Sequence, residues 1–235
     1  MLVLSHRGYH VSAPENTLES FSQAVAMKVD GIETDLRVAR DGEILLFHDR
    51  LAPDGQEVVA LTRAELSEQV GYSVPNADDA VAAHDRLFWN LEIKTPDAVD
   101  GALAIVKKHR ASRRLFLLTS FWHSAIDELA WKIDDDAALR GAEDVRLGLL
   151  TADRPLNLFS FLGISETNSK PPVHAIVWYY DVVDPKLLEE AKQLGLANCV
   201  YGVKTVADHR QCLDWKLDAV ITDRPEFVAE ARRNI

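Results

Sequence analysis

Short apolar runs alternate with amphipathic stretches along the whole 235-residue chain, and this alternation restricts the fold more than any other feature. The runs typical of strands cover residues 2–5, 31–38, 44–48, 87–94, 115–119, 146–150, 175–179, 199–203 and 219–222. The stretches typical of helices cover residues 17–28, 77–83, 97–108, 124–133, 185–194, 206–213 and 225–232. A repeated strand–helix pattern predicts a parallel sheet with its helices on the outside.

Residues 31–38 and 44–48 flank the turn-forming Arg40-Asp41-Gly42, and we interpret them as the outgoing and return arms of one feature. Eight parallel strands then remain, and eight strand–helix units in a chain of this length predict a compact α/β fold, the (β/α)8 TIM barrel. A doubly wound sheet is the alternative. Residues 1–235 are expected to form a single domain, with residues 50–76 as a short excursion after the second strand. Residues 165–172 have the composition of a loop.

The formal net charge of −11 argues against broad binding to nucleic acid or to anionic membranes, because both favour a basic protein face. No apolar run approaches the roughly 18–20 residues that a membrane span requires, so stable membrane anchoring is not expected. The two cysteines, Cys199 and Cys212, are expected to be a reduced pair in a cytoplasmic protein. An anionic small-molecule substrate would need a locally positive site on this chain. The sequence leaves the oligomeric state open.

Polar residues collect where the predicted barrel strands end, which is where barrels of this type carry reactive groups. Glu33 and Asp35 are two residues apart on one strand, so their side chains share a face. Glu92 and Lys94 share a face of the next parallel strand in the same way. Three converging carboxylates repel one another and require compensation. A divalent cation would supply it, and an all-oxygen set suits Mg²⁺ or Ca²⁺ better than Zn²⁺.

Two histidines, His6 and His48, stand at strand ends beside this acidic group, where they can act as base and acid at neutral pH. Arg7 and Lys94 are placed to neutralise phosphate oxygens. The competing interpretation is structural, with the carboxylates in salt bridges to Arg7, Arg37 or Lys94. Paired polar residues on adjacent strands together with two strand-end histidines favour the catalytic interpretation. The histidines assigned no role, and expected to lack carboxylate partners, are His10, His84, His109, His123, His174 and His209.

Four segments carry recognisable motifs: SHRGYHVSAPENTLESFSQAV (5–25), VDGIETDLRVARDGEILLFHD (29–49), NLEIK (90–94) and DAVITDRPEFV (218–228). In this order and spacing they resemble the glycerophosphodiester phosphodiesterase family. Its pattern runs from HRG and PENT through GxExDxxxxxDGxxxxxHD and ExK to TDxP. The resemblance covers essentially the full length and is most specific near the start of the chain.

The resemblance implies a TIM barrel that hydrolyses glycerophosphodiesters to glycerol phosphate and an alcohol with a divalent cation. The positions matching the family's metal ligands are Glu33, Asp35 and Glu92. The positions matching its phosphate contacts are Arg7 and Lys94. By analogy with related phospholipase-C-like barrels, His6 would be the base and His48 the acid. In that chemistry a substrate hydroxyl next to the phosphate can attack first, and water then opens the resulting cyclic phosphodiester.

Two departures from the family pattern concern the substrate rather than the chemistry. The segment after His48-Asp49 is short and lacks the threonine-rich RTT sequence, and the family's WTVN segment appears here as Tyr201-Gly202-Val203-Lys204. The pockets for the alcohol and the glycerol are therefore expected to differ. The alternatives are the same reaction on lysophospholipids or another hydroxyl-bearing phosphodiester, and an inactive binding barrel. The headgroup and the choice between Mg²⁺ and Ca²⁺ stay open.

Several further residues are expected to support these groups. Those predicted to orient a catalytic residue or to line the entrance of the site are Asp49, Ser120, Tyr179 and Tyr201. Thr17 is expected to cap the first helix, after Glu15-Asn16. Asp223 with Pro225 is interpreted mainly as the start of the last helix, and only secondarily as part of a site.

Overall fold

The structure, a computed structural model, describes residues 1–84, 86–110, 115–164 and 171–233. Its strands are β1 (Leu2–His6), β2 (Gly31–Val38), β3 (Ile44–Leu46), β4 (Phe88–Ile93), β5 (Phe116–Ser120), β6 (Val145–Thr151), β7 (Ala175–Tyr179), β8 (Ala197–Tyr201) and β9 (Ala219–Thr222). Its helices are α1 (Leu18–Ala26), α2 (Arg63–Val70), α3 (Ala77–Ala83), α4 (Val99–His109), α5 (His123–Asp135), α6 (Leu158–Leu162), α7 (Pro185–Gln193), α8 (Val206–Asp214) and α9 (Pro225–Arg233). The loop predicted at 165–172 lies, except for residues 171 and 172, outside the described residues.

Eight of these strands form a closed parallel barrel in the order β1, β2, β4, β5, β6, β7, β8 and β9. The ring closes because β1 pairs in parallel with both β2 and β9. β3 runs antiparallel to β2 outside the ring, as the predicted return arm. The predicted (β/α)8 barrel is therefore confirmed, and the doubly wound alternative, which requires an open sheet, is wrong.

The excursion at residues 50–76 contains a helix, α2, that the sequence pattern does not predict. This helix begins with a capping box between Thr62 and Glu65 and ends at Gly71. Leu66 is its buried residue, so α2 lacks the apolar stripe by which a helix is recognised. The apolar side chains of the excursion pack with those around β3 in a small core of Ala39, Leu45, Phe47, Ala52, Val58, Leu61, Leu66 and Val74.

The strand register turns the acidic residues towards the barrel interior. Glu33 of β2 lies opposite Asn90 of β4, and Asp35 lies opposite Glu92. Apolar residues adjacent to these positions on the same strands belong to the helix-facing core, as expected from the alternation along a strand: Ile32, Leu36, Leu91 and Ile93. Because the apolar neighbours are buried between the barrel and its helices, each acidic side chain points into the barrel interior.

The end of β1 is fixed against the first turn of α1. Thr17 caps this helix in a capping box with Ser20, as expected. The Ser20 hydroxyl donates to the Arg7 carbonyl at 3.0 Å. Gly8 has a φ of +76°, and a Cβ built there would lie 2.7 Å from the backbone carbonyl carbon of Ser20. Glycine tolerates both the conformation and the close approach, so α1 can hold the strand end that carries His6 and Arg7.

None of the helices in the described part of the chain combines the length and the apolar character that a membrane crossing requires. Both cysteines, Cys199 and Cys212, are free and buried.

Candidate active site

A cavity of about 260 Å³ opens where the barrel strands end. Its lining consists of His6, Arg7, Glu33, His48, Asn90, Glu92, Lys94, Thr119, Phe121, Leu150, Tyr201 and Ile221. Six of the seven residues predicted to carry the chemistry are in this lining, and Asp35 is fully buried next to it. One oxygen from each of Glu33, Asp35 and Glu92 lies within 4.8 Å of the others. The predicted acidic residues are thus one compact cluster.

Basic and polar side chains neutralise part of this cluster. Arg7 Nε lies 3.2 Å from Asp35 Oδ2, and Lys94 Nζ lies 3.3 Å from Asp35 Oδ1. Lys94 Nζ also lies 2.7 Å from Glu92 Oε1. The Asn16 amide donates to Asp35 Oδ2 at 2.8 Å. Burial alone would raise the pKa of Asp35, but Lys94 and Arg7 lower it, so this residue is a carboxylate.

Glu33 has no such compensation. Its Oε2 is buried without a hydrogen-bond partner in the described structure, and the His6 Nε2 atom lies 3.7 Å away. Burial, together with repulsion from Asp35 and Glu92, raises the pKa of Glu33 to about 8. Burial and Asp35 also raise the pKa of Glu92. Salt bridges therefore account for Asp35 and part of Glu92 but not for Glu33. An uncompensated oxygen in an all-carboxylate cluster fits a hard divalent cation.

His6 is held by an acidic residue from the opposite end of the chain. Its Nδ1 lies 2.6 Å from Asp223 Oδ1, so Nδ1 carries the proton and Nε2 faces Glu33. Burial lowers the pKa of His6, but the hydrogen bond to Asp223 and the charge of Glu33 outweigh it and raise that pKa. The carboxylate of Asp223 thus contacts the site, which was only the secondary expectation.

The expectation that the remaining histidines lack carboxylate partners is wrong for His10 and for His109. His10 Nε2 lies 3.3 Å from the same Asp223 oxygen that contacts His6. On the far side of the molecule, His109 Nε2 lies 2.8 Å from Asp78 Oδ1. Both contacts join distant parts of the chain, so local sequence gives no sign of them.

His48 follows β3 and has a carboxylate partner of its own. Its Nδ1 lies 2.9 Å from Asp49 Oδ1, the contact expected of Asp49. Its backbone carbonyl accepts hydrogen bonds from Arg37 Nε at 3.0 Å and Nη2 at 2.7 Å. Burial lowers the pKa of His48, and the charge of Asp35 does not offset it fully because Lys94 and Arg7 are close. Arg37, considered above only as a salt-bridge partner, instead fixes the backbone of His48.

Two residues before the first helix cap support the site and were not predicted to do so. Glu15 accepts two hydrogen bonds from Arg7 Nη1, at 2.9 and 3.1 Å. Asn16 is buried in a left-handed conformation, with φ of +56°, and accepts a 2.6 Å hydrogen bond from Thr34. The available signal was an asparagine directly before a helix cap, a residue type that tolerates this conformation.

The residues expected at the entrance divide into two groups. Tyr201 lines the cavity together with Phe121, whose ring lies edge-on at 6.1 Å between centroids. Tyr179 is not in the lining but contacts the Tyr201 ring, with 5.4 Å between centroids. Ser120 does not line it. It is fully buried, and its hydroxyl donates to the Ile93 carbonyl at 2.6 Å. The prediction for Ser120 is wrong because β5 turns its neighbours Thr119 and Phe121 towards the cavity instead.

A model of the glycerophosphoryl diester phosphodiesterase family matches residues 6–227, from the first candidate histidine into the last helix. The chain belongs to this family. The resemblance in the motifs is thereby confirmed, and with it membership of a family of phosphoric diester hydrolases.

The similarity of this chain to several known proteins extends over nearly its whole length. A glycerophosphodiester phosphodiesterase of Caldanaerobacter subterraneus is 24% identical over 246 residues, covering 96% of this chain and 95% of that protein. A glycerophosphodiester phosphodiesterase structure from Thermotoga maritima has a TM-score of 0.77 at 24% identity, covering 98% of this chain and 97% of the other. A phosphodiesterase of Oleispira antarctica, solved with the product sn-glycerol-3-phosphate, has a TM-score of 0.81 at 20% identity, covering 99% and 97%. The two solved structures share the barrel fold.

Cation-free protein is expected to lose stability as the pH rises from 4.5 to about 8, because folded Glu33 keeps its proton more tightly than the unfolded chain does. Glu33→Gln should flatten this loss. The measurement is the melting temperature in EDTA across that range, where each kcal/mol corresponds to roughly 2–4 °C for a chain of this size. Glu68→Gln, which changes an exposed glutamate, should keep the wild-type profile. An equally steep profile in Glu33→Gln would contradict the raised pKa.

Proposed function

We propose that this protein hydrolyses glycerophosphodiesters to glycerol phosphate and an alcohol, with a divalent cation and two histidines. The observation that carries the proposal is a single cavity lined by two carboxylates, two imidazoles and two basic side chains, with the third carboxylate, Asp35, buried beside it. An inactive binding barrel would have no use for this complete set. The matched relatives named as glycerophosphodiester phosphodiesterases support the substrate class.

Glu33, Asp35 and Glu92 would hold the cation, and their oxygens suit Mg²⁺ or Ca²⁺. Such an ion supplies positive charge that stabilises the phosphate oxygens as the phosphorus is attacked. Zinc is disfavoured because the cluster consists of three carboxylates and includes no imidazole or thiolate. Arg7 and Lys94 line the same cavity and would pair with the remaining phosphate oxygens.

The first step uses the two histidines in opposite roles. His6 Nε2 removes the proton from a substrate hydroxyl next to the phosphate, and that oxygen bonds to phosphorus. The bond between phosphorus and the alcohol oxygen breaks, and His48 Nε2 gives its proton to the leaving alcohol. Asp223 stabilises the imidazolium that forms on His6. Burial lowers the pKa of His48 and the hydrogen bond with Asp49 opposes this, so the step starts from the fraction of His48 that carries both protons.

The second step opens the cyclic phosphodiester with the roles reversed. His48, now neutral, removes a proton from water, and the water oxygen bonds to phosphorus. The ring bond to the glycerol oxygen breaks, and His6 returns its proton to that oxygen. Glycerol phosphate leaves and both histidines regain their starting protonation, so one acid–base pair serves both steps.

We also propose that residues 1–235 form one domain in the cytoplasm and act on a small molecule. The packing of the excursion against β3 supports one domain. The two free cysteines support a reducing compartment. The net charge of −11 supports a small-molecule partner over nucleic acid.

Removal of divalent cations is expected to abolish hydrolysis of glycerophosphocholine and glycerophosphoethanolamine. Mg²⁺ or Ca²⁺ added back should restore it, because the carboxylate cluster would otherwise repel the phosphate. The measurement is alcohol release by protein stripped with EDTA and checked for residual metal, with cation-saturated EDTA as the control. Full activity in protein confirmed to be metal-free would exclude this role for the cluster.

Replacing either histidine by alanine, in His6→Ala or His48→Ala, is expected to lower turnover by about 10²–10⁴-fold, the usual contribution of a positioned acid or base. His84→Ala is the matched control, because His84 packs against Phe21 outside the cavity lining. Steady-state kinetics on glycerophosphocholine measures the effect. A turnover near wild type in one variant would remove that histidine from the mechanism.

The rim of the cavity favours lysophospholipids as a second substrate candidate. Trp122, beside Phe121, is 53% exposed, and Leu156 in the loop after the neighbouring β6 is fully exposed. Phe159 at the start of α6 is exposed as well. An apolar rim next to a phosphodiester site would cover an acyl chain that a glycerophosphodiester lacks.

The double variant Trp122→Ser, Leu156→Ser is expected to lower kcat/KM for lysophosphatidylcholine by about tenfold, through lost apolar contact. It should leave glycerophosphocholine hydrolysis unchanged. Trp131→Ser, which removes an exposed tryptophan further along α5, is the matched control. Equal effects on both substrates, or no hydrolysis of the lysophospholipid by wild-type protein, would eliminate this candidate.

A further inference from the structure

Asn90 contributes a polar side chain to the floor of the cavity. It lies on β4, fully buried, directly opposite Glu33 on β2. It precedes Glu92 by two residues, so the two side chains share the inward face of the strand. Asn90 is therefore next to Glu33 on the neighbouring strand and next to Glu92 on its own strand.

The orientation of its amide is fixed by β5. Asn90 Nδ2 donates to Thr119 Oγ1 at 2.6 Å and to the Leu117 carbonyl at 3.3 Å. A backbone carbonyl can only accept, so the amide nitrogen must face β5 and Oδ1 must face away from it. In the described structure Oδ1 has no hydrogen-bond partner, although the residue lines the cavity.

A second orphaned oxygen lies on the paired residue. Glu33 Oε2 is also buried without a hydrogen-bond partner. Unpaired buried acceptors are rare and costly, and two on directly opposed residues call for a shared donor or cation. An amide oxygen is a regular ligand of hard divalent ions. Being neutral, it adds an oxygen to the site without adding a fourth negative charge to the cluster.

We propose that Asn90 is part of the cation site and provides a neutral oxygen, to the ion or to a water bound on it, beside Glu33, Asp35 and Glu92. This inference rests on the proposed function only in placing a divalent cation at the carboxylates. The hydrogen bonds donated by Asn90 Nδ2 to β5 fix the orientation of the amide, and Oδ1 would bind the ion or its water.

The test compares Asn90→Leu, which keeps the volume but removes the oxygen, with Asn90→Asp, which keeps an oxygen in its place. Calorimetric titration of EDTA-stripped protein with Ca²⁺ and with Mg²⁺ gives the dissociation constants. Asn90→Leu is expected to weaken binding by about 10–100-fold, the scale for losing a partner of a metal site. Asn90→Asp should bind as tightly as wild type or more tightly.

Terbium luminescence lifetimes in H₂O and D₂O give a second readout, the number of water molecules on the bound ion. This number should change between wild type and Asn90→Leu. Ser5→Ala is the control, since Ser5 Oγ is likewise buried without a partner but lies on the helix-facing side of β1. It should leave both measurements unchanged. Circular dichroism and melting temperature in EDTA verify that each variant is folded.

Two outcomes would overturn the inference. Affinity within twofold of wild type in Asn90→Leu, with an unchanged water number, would leave Asn90 a purely structural residue. Equal losses in the two variants would mean that the amide nitrogen, not the oxygen, matters. Neither measurement requires turnover. A protein that binds cations through Asn90 but hydrolyses no phosphodiester would refute the proposed function and leave this inference standing.

Discussion

Repulsion among three buried carboxylates is the constraint on which the carboxyl end of this barrel depends. Glu33, Asp35 and Glu92 point inward because their strand neighbours are needed in the apolar layer outside. The free energy of burying their charge is offset only in part by Arg7 and Lys94. The remaining imbalance lies at Glu33 and makes the site suitable for a cation rather than for a closed salt-bridge network.

The surrounding segments hold in place the side chains that contact the carboxylates and the histidines. The first helix holds the end of β1, and the residues before its cap bind both Arg7 and Asp35. Each of the two histidines contacts a carboxylate of its own: His6 contacts Asp223, and His48 contacts Asp49. Their pKa values shift in opposite directions. At His6 the hydrogen bond to Asp223 and the charge of Glu33 outweigh the effect of burial, whereas at His48 burial dominates and Lys94 and Arg7 add to it.

The barrel and the centre of the site could be predicted from the sequence because both follow from periodicity. Side chains two residues apart on a strand point to the same face, and the apolar residues next to them occupy the helix-facing side. Glu33, Asp35 and Glu92 must therefore point into the barrel. Asp223 could not be assigned with the same certainty, since its contact with His6 spans 217 positions and exists only once the ring closes. Ser120 was expected at the entrance, but side chains alternate along a strand, and its two neighbours, Thr119 and Phe121, line the cavity instead.

The position of β3 has a consequence for how such a protein can diversify. His48 lies beyond a short arm that pairs with β2 outside the ring and with Asn76 of the excursion, whereas the carboxylates and His6 belong to the ring itself. The end of this arm is held to the ring by the hydrogen bonds from Arg37 to the His48 carbonyl and by the bond from the Phe47 N–H to the Asp35 carbonyl. The length of the segment beyond the arm can therefore change without displacing the ring strands that carry the carboxylates and His6.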